Sequence, residues 1–390
     1  MDNKSNIVIY GLSTEGYVIA SNLAKTNVDV TLIDEKLQVA TEITADTVKN
    51  YSSAKDLMEN ESLLGILPLD QVLSNSQIIF VTPKLRKNSE DAKTELISIF
   101  SKISQTIKKN SILFNCVPQG LGVNNEIIEI IKRNSGLDVG DFTYVYSPLF
   151  ARTSNSLSLG VVPISNNKHV EKLLKQSNIK FEQIVDVELS ERIYTNRILN
   201  THASLSIQFE TFKNSVKVNS KEDTFQIFHT EIYIDDLLDG IHDVKQINYS
   251  LDSGLPLHYI SSGIIRNVEG SIRVIVDNIK KKINDEKLKP SRTKIILFWR
   301  IDEFEIRGDK IMMLEKFISK LEDIVGEVHI LTDFSIRHNI SQSTFSREKH
   351  NFVLLCSKAD YNYVNKHKNT IPPNSILVKA NELLEIIQNK

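Results

Sequence analysis

The stretch from 6 to 36, NIVIYGLSTEGYVIASNLAKTNVDVTLIDEK, restricts the fold more than any other part of the chain. A β-branched run (Ile7, Val8, Ile9) enters the turn Gly11-Leu12-Ser13-Thr14-Glu15-Gly16. Helical spacing of Val18, Ile19, Leu23 and Ala24 follows, and a second strand from Val28 to Ile33 stops at Asp34. Strand, glycine turn, helix and strand with an acidic end outline a dinucleotide-binding fingerprint. Gly11 allows a sharp exit from the first strand, and Gly16 lets the helix approach the sheet. The helix N-terminus then offers N–H groups and a positive dipole end to a pyrophosphate. Asp34 lies near the roughly 20-residue offset of the acid that binds the adenosine ribose, and its charge favours NAD over NADP. Ser13 stands where the pattern has its middle glycine. The alternative is a doubly wound domain that has lost its ligand.

The remaining composition narrows the class. A chain of 390 residues holds two or three domains. A net charge of −2 supplies no field toward nucleic acid or anionic lipid. No apolar run approaches the ~20 residues of a membrane span. The N-terminus enters its first strand without a signal-peptide layout, and two cysteines, Cys116 and Cys356, make no disulfide framework. Both features fit a cytoplasmic protein. No Cys/His group has metal-ligand spacing.

The alternation of elements predicts three parts. In the first, from 1 to 186, strands are expected at 78–81, 111–115, 143–146 and 161–164. Helices are expected at 91–108, 125–133 and 168–176. Strand ends carry turn residues: Thr82-Pro83, Cys116 to Gly120, and Ser147-Pro148. From 187 to 286 strand signals fade. Helical spacing there runs through Ile193, Leu199, Leu205, Ile207 and Phe209, then through zones at 228–238 and 264–283. A polar linker with Pro290 precedes a smaller α/β part from 293 to 390. Its strands are expected at 294–299, 328–331, 352–356 and 375–378, with a helix at 310–324. The fold class is α/β: a Rossmann-like parallel-sheet domain, an all-helical middle with a long helix, and a second Rossmann-like domain.

That plan resembles the UDP-glucose/GDP-mannose (nucleotide-sugar) dehydrogenases, with short motifs in the same order along nearly the whole chain. Gly11 to Tyr17 resembles G-x-G-Y-V-G, and Phe80-Val81-Thr82-Pro83 resembles V-x-T-P. Asn115-Cys116-Val117-Pro118 sits where the family has S-T-V-P. Ser147-Pro148-Leu149-Phe150 is similar to N-P-E-F. Glu188 to Asn196 resembles E-L-x-K-x-x-x-N, placing the family lysine at Arg192 and its asparagine at Asn196. Ile296 to Arg300 and Asp302 to Arg307 resemble G-x-A-F-K and D-x-x-D-x-R. Ser253-Gly254-Leu255-Pro256-Leu257-His258-Tyr259-Ile260 resembles the P-G-L-G-G-H-C-I of the UDP-N-acetylmannosamine dehydrogenase branch.

The resemblance implies NAD as cofactor, a nucleotide sugar as substrate and a homodimer built on the long helix. It implies cofactor contacts at Gly11, Ser13, Gly16, Tyr17, Asp34, Thr82, Pro83 and Cys116. It implies substrate contacts at Leu149, Phe150, Gly254, Arg300 and Arg307, and catalytic positions at Arg192, Asn196, His258 and Tyr259. Several of these positions have lost their chemistry. The family cysteine that holds the intermediate aldehyde is Tyr259, whose phenol has almost no anion at neutral pH. Arg192 keeps a charge but cannot give up its proton. Leu149 replaces the acid/base glutamate. Cys116 reads either as a relay thiol or as a small hydrophobe. His258 reads as an acid/base or as a loop histidine with a hydrogen-bond partner. Arg300 and Arg307 read as a diphosphate clamp, as a solvated charged face or as intradomain ion-pair partners of Asp302 or Glu305. Lys280 to Lys282 form a solvated helix end. Two functions follow: a divergent NAD-dependent oxidoreductase, limited to one hydride transfer, or a non-catalytic NAD- or nucleotide-sugar-binding protein with a regulatory or partner role.

Overall fold

A computed structural model describes residues 6–26, 28–59, 69–87, 89–150, 155–215, 231–332, 344–381, 384 and 386–387. The chain divides into two compact units. The first is Met1–Leu199, His242–Ser261 and Phe304–Gly308, and the second is Asn200–Ile241, Ser262–Glu303 and Asp309–Lys390.

The first unit is built on an eight-stranded sheet. Its strands are β1 (Ile7–Tyr10), β2 (Val30–Asp34), β3 (Val39–Ile43), β4 (Ile78–Val81), β5 (Ile112–Asn115), β6 (Thr143–Tyr146), β7 (Ser158–Val162) and β8 (Gln183–Val185). They lie in the order β3-β2-β1-β4-β5-β6-β7-β8. The run from β2 to β6 is parallel, whereas β3 and β7 pair antiparallel with β2 and β6. In β1, Ile7 and Ile9 join one core cluster and Val8 and Tyr10 another. Both faces are therefore buried, so parallel strands read as continuous apolar runs. Phe80 and Phe114, neighbours on one face, stack with centroids 4.2 Å apart. The chain leaves β1 toward β2 and returns on the other side at β4, so the topological switch point lies between the carboxyl ends of β1 and β4.

Helix α1 (Thr14–Ala24) follows β1 and is capped by Ser13, whose hydroxyl accepts the Gly16 N–H. Gly11 has φ of +123°, and a Cβ there would lie 2.4 Å from Thr82 and Pro83 backbone atoms. A Cβ on Gly16 would lie 2.4 Å from Thr82 Oγ1. Both glycines serve the close approach that the sequence predicts.

The second unit carries a five-stranded sheet of β9 (Thr293–Phe298), β10 (Val328–Leu331), β11 (His350–Leu355), β12 (Ser375–Lys379) and β13 (Ile386–Ile387), ordered β10-β9-β11-β12-β13. All pairs are parallel except β12 with β13. Two long helices, Val187–Ser215 and Pro256–Asp285, pass from residues of the first unit into residues of the second.

Most expected strands and helices exist, with ends displaced by a few residues. The strand expected at 28–33 is Val30–Asp34, the helix expected at 91–108 is Ser89–Ser104, and that expected at 264–283 is Pro256–Asp285. Pro256, at the first helical position, needs no N–H partner and starts the helix. His258 and Tyr259 therefore lie on a helix rather than a loop. The sequence reading missed β3, whose run Val39-Ala40-Thr41-Glu42-Ile43 carries only weak alternation. Residues 228–230 of one expected helical zone lie outside the described residues.

Asp360, on the helix Lys358–Lys366, is buried and accepts the Ser357 hydroxyl at 2.7 Å. Burial, aided by the charge of Asp235, pushes its carboxyl up to about 7. The folded form thus keeps a proton that the unfolded chain releases near pH 4. Between those values the native state binds more protons, so stability falls as pH rises from about 4 to 7, by on the order of 4 kcal/mol. Asp360→Asn removes this fall. Urea unfolding followed at pH 4 to 8 by the fluorescence of Trp299, the one tryptophan, is expected to give a flatter profile for the variant and higher stability than the parent at pH 8.

Candidate functional site

In an open α/β sheet, ligands bind beyond the carboxyl ends of the strands at the switch point. The first unit's switch point is furnished by the glycine turn, Thr82-Pro83-Lys84 after β4, and residues 304–308. Thr82 is buried, and its hydroxyl donates to the Gly11 carbonyl at 3.0 Å. Pro83 presses on Gly11. Tyr17 faces the core, and its hydroxyl donates to the Tyr51 carbonyl. Asp34 is buried and accepts the Lys36 and Leu37 N–H groups at 2.8 and 3.0 Å, so its carboxylate caps the turn after β2.

The acid that reaches the glycine turn is the next residue. Glu35 accepts the Leu12 N–H and the Lys84 N–H, each at 3.1 Å. The Thr14 N–H, at the start of α1, donates to the Phe304 carbonyl at 2.8 Å. The Gly16 N–H goes to Ser13 Oγ, and the Ser13 N–H to the Gly11 carbonyl. Glu15, fully buried in the first turn of α1, accepts the Ile306 N–H at 3.0 Å. The N–H groups expected to face a pyrophosphate are thus committed within the chain, and two carboxylates stand beside them. In this arrangement the turn does not fit the diphosphate of NAD, because a second anion would meet like charge and donors already in use.

Residues 304–308 also bring Arg307 into the unit's centre. Its Nε bonds both Asp243 carboxylate oxygens at 3.0 Å, and its Nη2 bonds Asp243 Oδ2 at 2.9 Å, Leu149 O at 2.7 Å and Tyr194 Oη at 3.0 Å. Tyr194 donates its hydroxyl to Asp243 at 2.7 Å. Arg307 is 4% exposed and Asp243 2%. The ion-pair partner of Arg307 is Asp243, whereas the sequence suggests Asp302 or Glu305. Phe150 lies beside Tyr194, ring centroids 6.5 Å apart.

The positions of chemistry are dispersed. Arg192 is exposed and pairs with Glu188 at 2.6 Å. Asn196 is exposed as well. The buried stripe of this helix is Val187, Ser190, Glu191, Tyr194, Thr195 and Ile198, at spacings of three and four that define one helical face. Arg192 points elsewhere for that reason. Counting E-L-x-K-x-x-x-N strictly from Glu188 places the lysine position on Glu191 and the asparagine position on Thr195, and the stripe supports that register. Glu191 accepts the Gly122 N–H at 2.8 Å, the Asn124 N–H at 3.1 Å and Asn124 Nδ2 at 2.7 Å. These bonds cap helix Val123–Ser135, whose positive end suits a carboxylate. Burial raises the Glu191 carboxyl above its ordinary value, opposed by these bonds.

Cys116 is fully buried, and burial, with the Glu15 charge nearby, pushes its thiol far up. Leu149 is buried, offering only its carbonyl to Arg307. Tyr259 is 67% exposed. His258 packs edge-on against Tyr259, and its Nδ1 lies 3.4 Å from Asn248 Nδ2. Gly254 is exposed, and nothing crowds it.

Arg300 belongs to the second unit, where it lies over the Tyr363 ring at 5.5 Å. The carboxyl edge of that unit's sheet is also covered by its own chain. Ile234 and Asp235 donate backbone N–H groups to the Ala380 and Cys356 carbonyls, and Tyr233 bridges Asn381. Asp235 accepts the Trp299 indole N–H at 2.7 Å and pairs with Lys310 at 2.9 Å. Among the described residues, no group of three or more acidic, histidine or cysteine side chains has metal-binding geometry, and no helix is long and apolar enough to cross a membrane.

The Arg307–Asp243 geometry predicts a stability effect. Arg307→Met leaves a buried carboxylate without its cation and is expected to cost about 3–5 kcal/mol. The double variant Arg307→Met/Asp243→Leu is expected to recover most of that loss. Urea denaturation of both variants checks the difference.

The sequence matches no protein-family model and no curated protein. Solved structures do match. The UDP-D-ManNAc dehydrogenase of Pyrococcus horikoshii superposes with a TM-score of 0.66 at 12% identity, over 99% of this chain and 96% of that one. The UDP-glucose dehydrogenase of Pyrobaculum islandicum gives 0.64 at 11% identity, over 98% and 95%. The UDP-N-acetyl-mannosamine dehydrogenase Cap5O of Staphylococcus aureus gives 0.58 at 15% identity, over 91% and 95%. End to end, this chain carries the fold of the nucleotide-sugar dehydrogenases.

Proposed function

We propose that this chain is a non-catalytic relative of the nucleotide-sugar dehydrogenases, serving a regulatory or partner-binding role on the enzyme scaffold. One observation carries the reading: the chain offers no accessible cysteine. Its only two cysteines, Cys116 and Cys356, are both fully buried, and burial raises both thiols. Oxidation of a sugar CH₂OH to a carboxylate through a thiohemiacetal needs an accessible thiolate. The exposed phenol of Tyr259 is no replacement.

A single hydride transfer meets the same difficulty from another side. Removing the hydroxyl proton needs a positioned base. Leu149 has none, Arg192 is exposed and paired with Glu188, and Glu191 is spent on capping a helix. These placements favour the non-catalytic reading over the divergent oxidoreductase. By sequence, NAD or a nucleotide sugar is the expected ligand under either reading. The homodimer implied by the long helix fits either one, and Leu189 and Ile207 stand exposed along that helix. A homodimer has twice the 44.3 kDa mass of one chain, which light scattering reads directly.

Purified protein mixed with NAD and a panel of UDP- and GDP-sugars is expected to form no NADH. Tyr259→Cys is expected to stay inactive, because a thiol on that exposed helical turn, even with His258 beside it, still lacks a bound cofactor. NADH formation by the parent chain, tied stoichiometrically to sugar oxidation, would sink the proposal.

A further inference from the structure

The glycine turn of the first unit is not empty space awaiting a ligand. Residues 304–308 cross the carboxyl ends of β1 and β4 as a strap. The strap is fixed at both sides of the switch point. On the α1 side, Phe304 accepts from the Thr14 N–H and Ile306 donates to Glu15. On the β4 side, the Leu85 N–H donates to the Ile306 carbonyl at 2.9 Å. Arg86 Nη1 donates to the Glu305 and Arg307 carbonyls, each at 2.9 Å. The Phe304 ring packs on the core below β1 and lies 4.6 Å from Lys84 Nζ. Glu305, Ile306, Arg307 and Gly308 are all buried.

The charges match this occupancy. A helix N-terminus at the end of a glycine turn attracts an anion. Here Glu15 places a buried carboxylate in the first turn of α1, and Glu35 places a second on the Leu12 N–H. Two buried cations lie in the region: Arg307 is paired with Asp243, and Lys84 holds its ammonium over the Phe304 ring of the strap. A diphosphate entering this crevice would have to expel the strap, take N–H groups from the Phe304 carbonyl and from Glu35, and sit beside two carboxylates.

We infer that the dinucleotide cradle of this fold has been converted into an intramolecular clasp, with Glu15 and Glu35 as its resident anions and residues 304–308 as its occupant. The first unit therefore takes no NAD. The clasp deepens the non-catalytic reading above but concerns binding, so the two fail separately.

Hydrogen exchange of the full chain, with and without millimolar NAD, tests the clasp alongside calorimetric titration with NAD. The backbone amides of Leu12, Thr14, Lys84 and Ile306 are expected to exchange as slowly as sheet amides such as that of Phe114, unchanged by NAD. No saturable heat is expected. In Glu15→Gln/Glu35→Gln those four amides are expected to exchange at least about tenfold faster, while Phe114 stays protected as the sign of a folded sheet. Saturable NAD binding by the parent chain would overturn the clasp, and without NADH formation would leave the non-catalytic reading standing. Fast exchange of the four amides in the parent chain would also overturn it, whatever the fate of the double variant.

Discussion

The buried pair of Arg307 and Asp243 is the constraint on which the first unit depends. It joins pieces of chain that are remote in sequence. Asp243 is on the helix Ile241–Ser250, Tyr194 on Val187–Ser215, Leu149 at the end of β6, and Arg307 on the strap. A guanidinium grips the carboxylate with Nε and Nη2 along one edge, and Nη2 still reaches a carbonyl and a phenol, a planar fork that a lysine lacks. Desolvating such a pair is costly, and its own attraction roughly offsets that cost. Its structural value lies in geometry: with Arg307 held here, residues 304–306 pass across the switch point, and the glycine turn is covered.

A second buried network supports the sheet from the other side of the site. Asn124 accepts the Tyr144 hydroxyl at 2.5 Å and Asn115 Nδ2 at 2.9 Å, and donates to Glu191 at 2.7 Å. Asn115 in turn accepts the Val117 N–H. Asn115, Asn124, Tyr144 and Glu191 are thereby matched to one another. Glu191 closes this network. An acid on the inward stripe of the long helix is held by three donors and caps a helix, with nothing left over to move a proton on a substrate. The same economy appears in the second unit, where Asp235 serves Trp299 and Lys310.

Much of the architecture was legible from residue patterns. Alternating apolar strands and amphipathic helices placed both parallel sheets. Gly11 and Gly16 announced a turn that only a missing Cβ permits. The motif order pointed to a fold that solved structures share over nearly the whole chain. Where the reading went astray, the cause was local. Arg192 took the lysine position by charge, although the 187, 190, 191, 194 and 198 stripe puts Glu191 inside. His258 was read as a loop histidine, although Pro256 marks a helix start.

Sequence by itself determined the doubly wound frame, the glycine turn and a tyrosine at position 259, where the resemblance expects a cysteine. Those properties depend on periods of 2 and 3.6 residues, on backbone freedom at single positions, and on the identity of one side chain. Only tertiary structure decided what fills the turn. Glu15 and Ile306 are 291 residues apart, and Arg307 and Asp243 are 64 apart, so no local pattern records that they meet. Whether an N–H group at a helix start faces a phosphate or a carbonyl of its own chain is settled by which distant segment the fold brings to that edge.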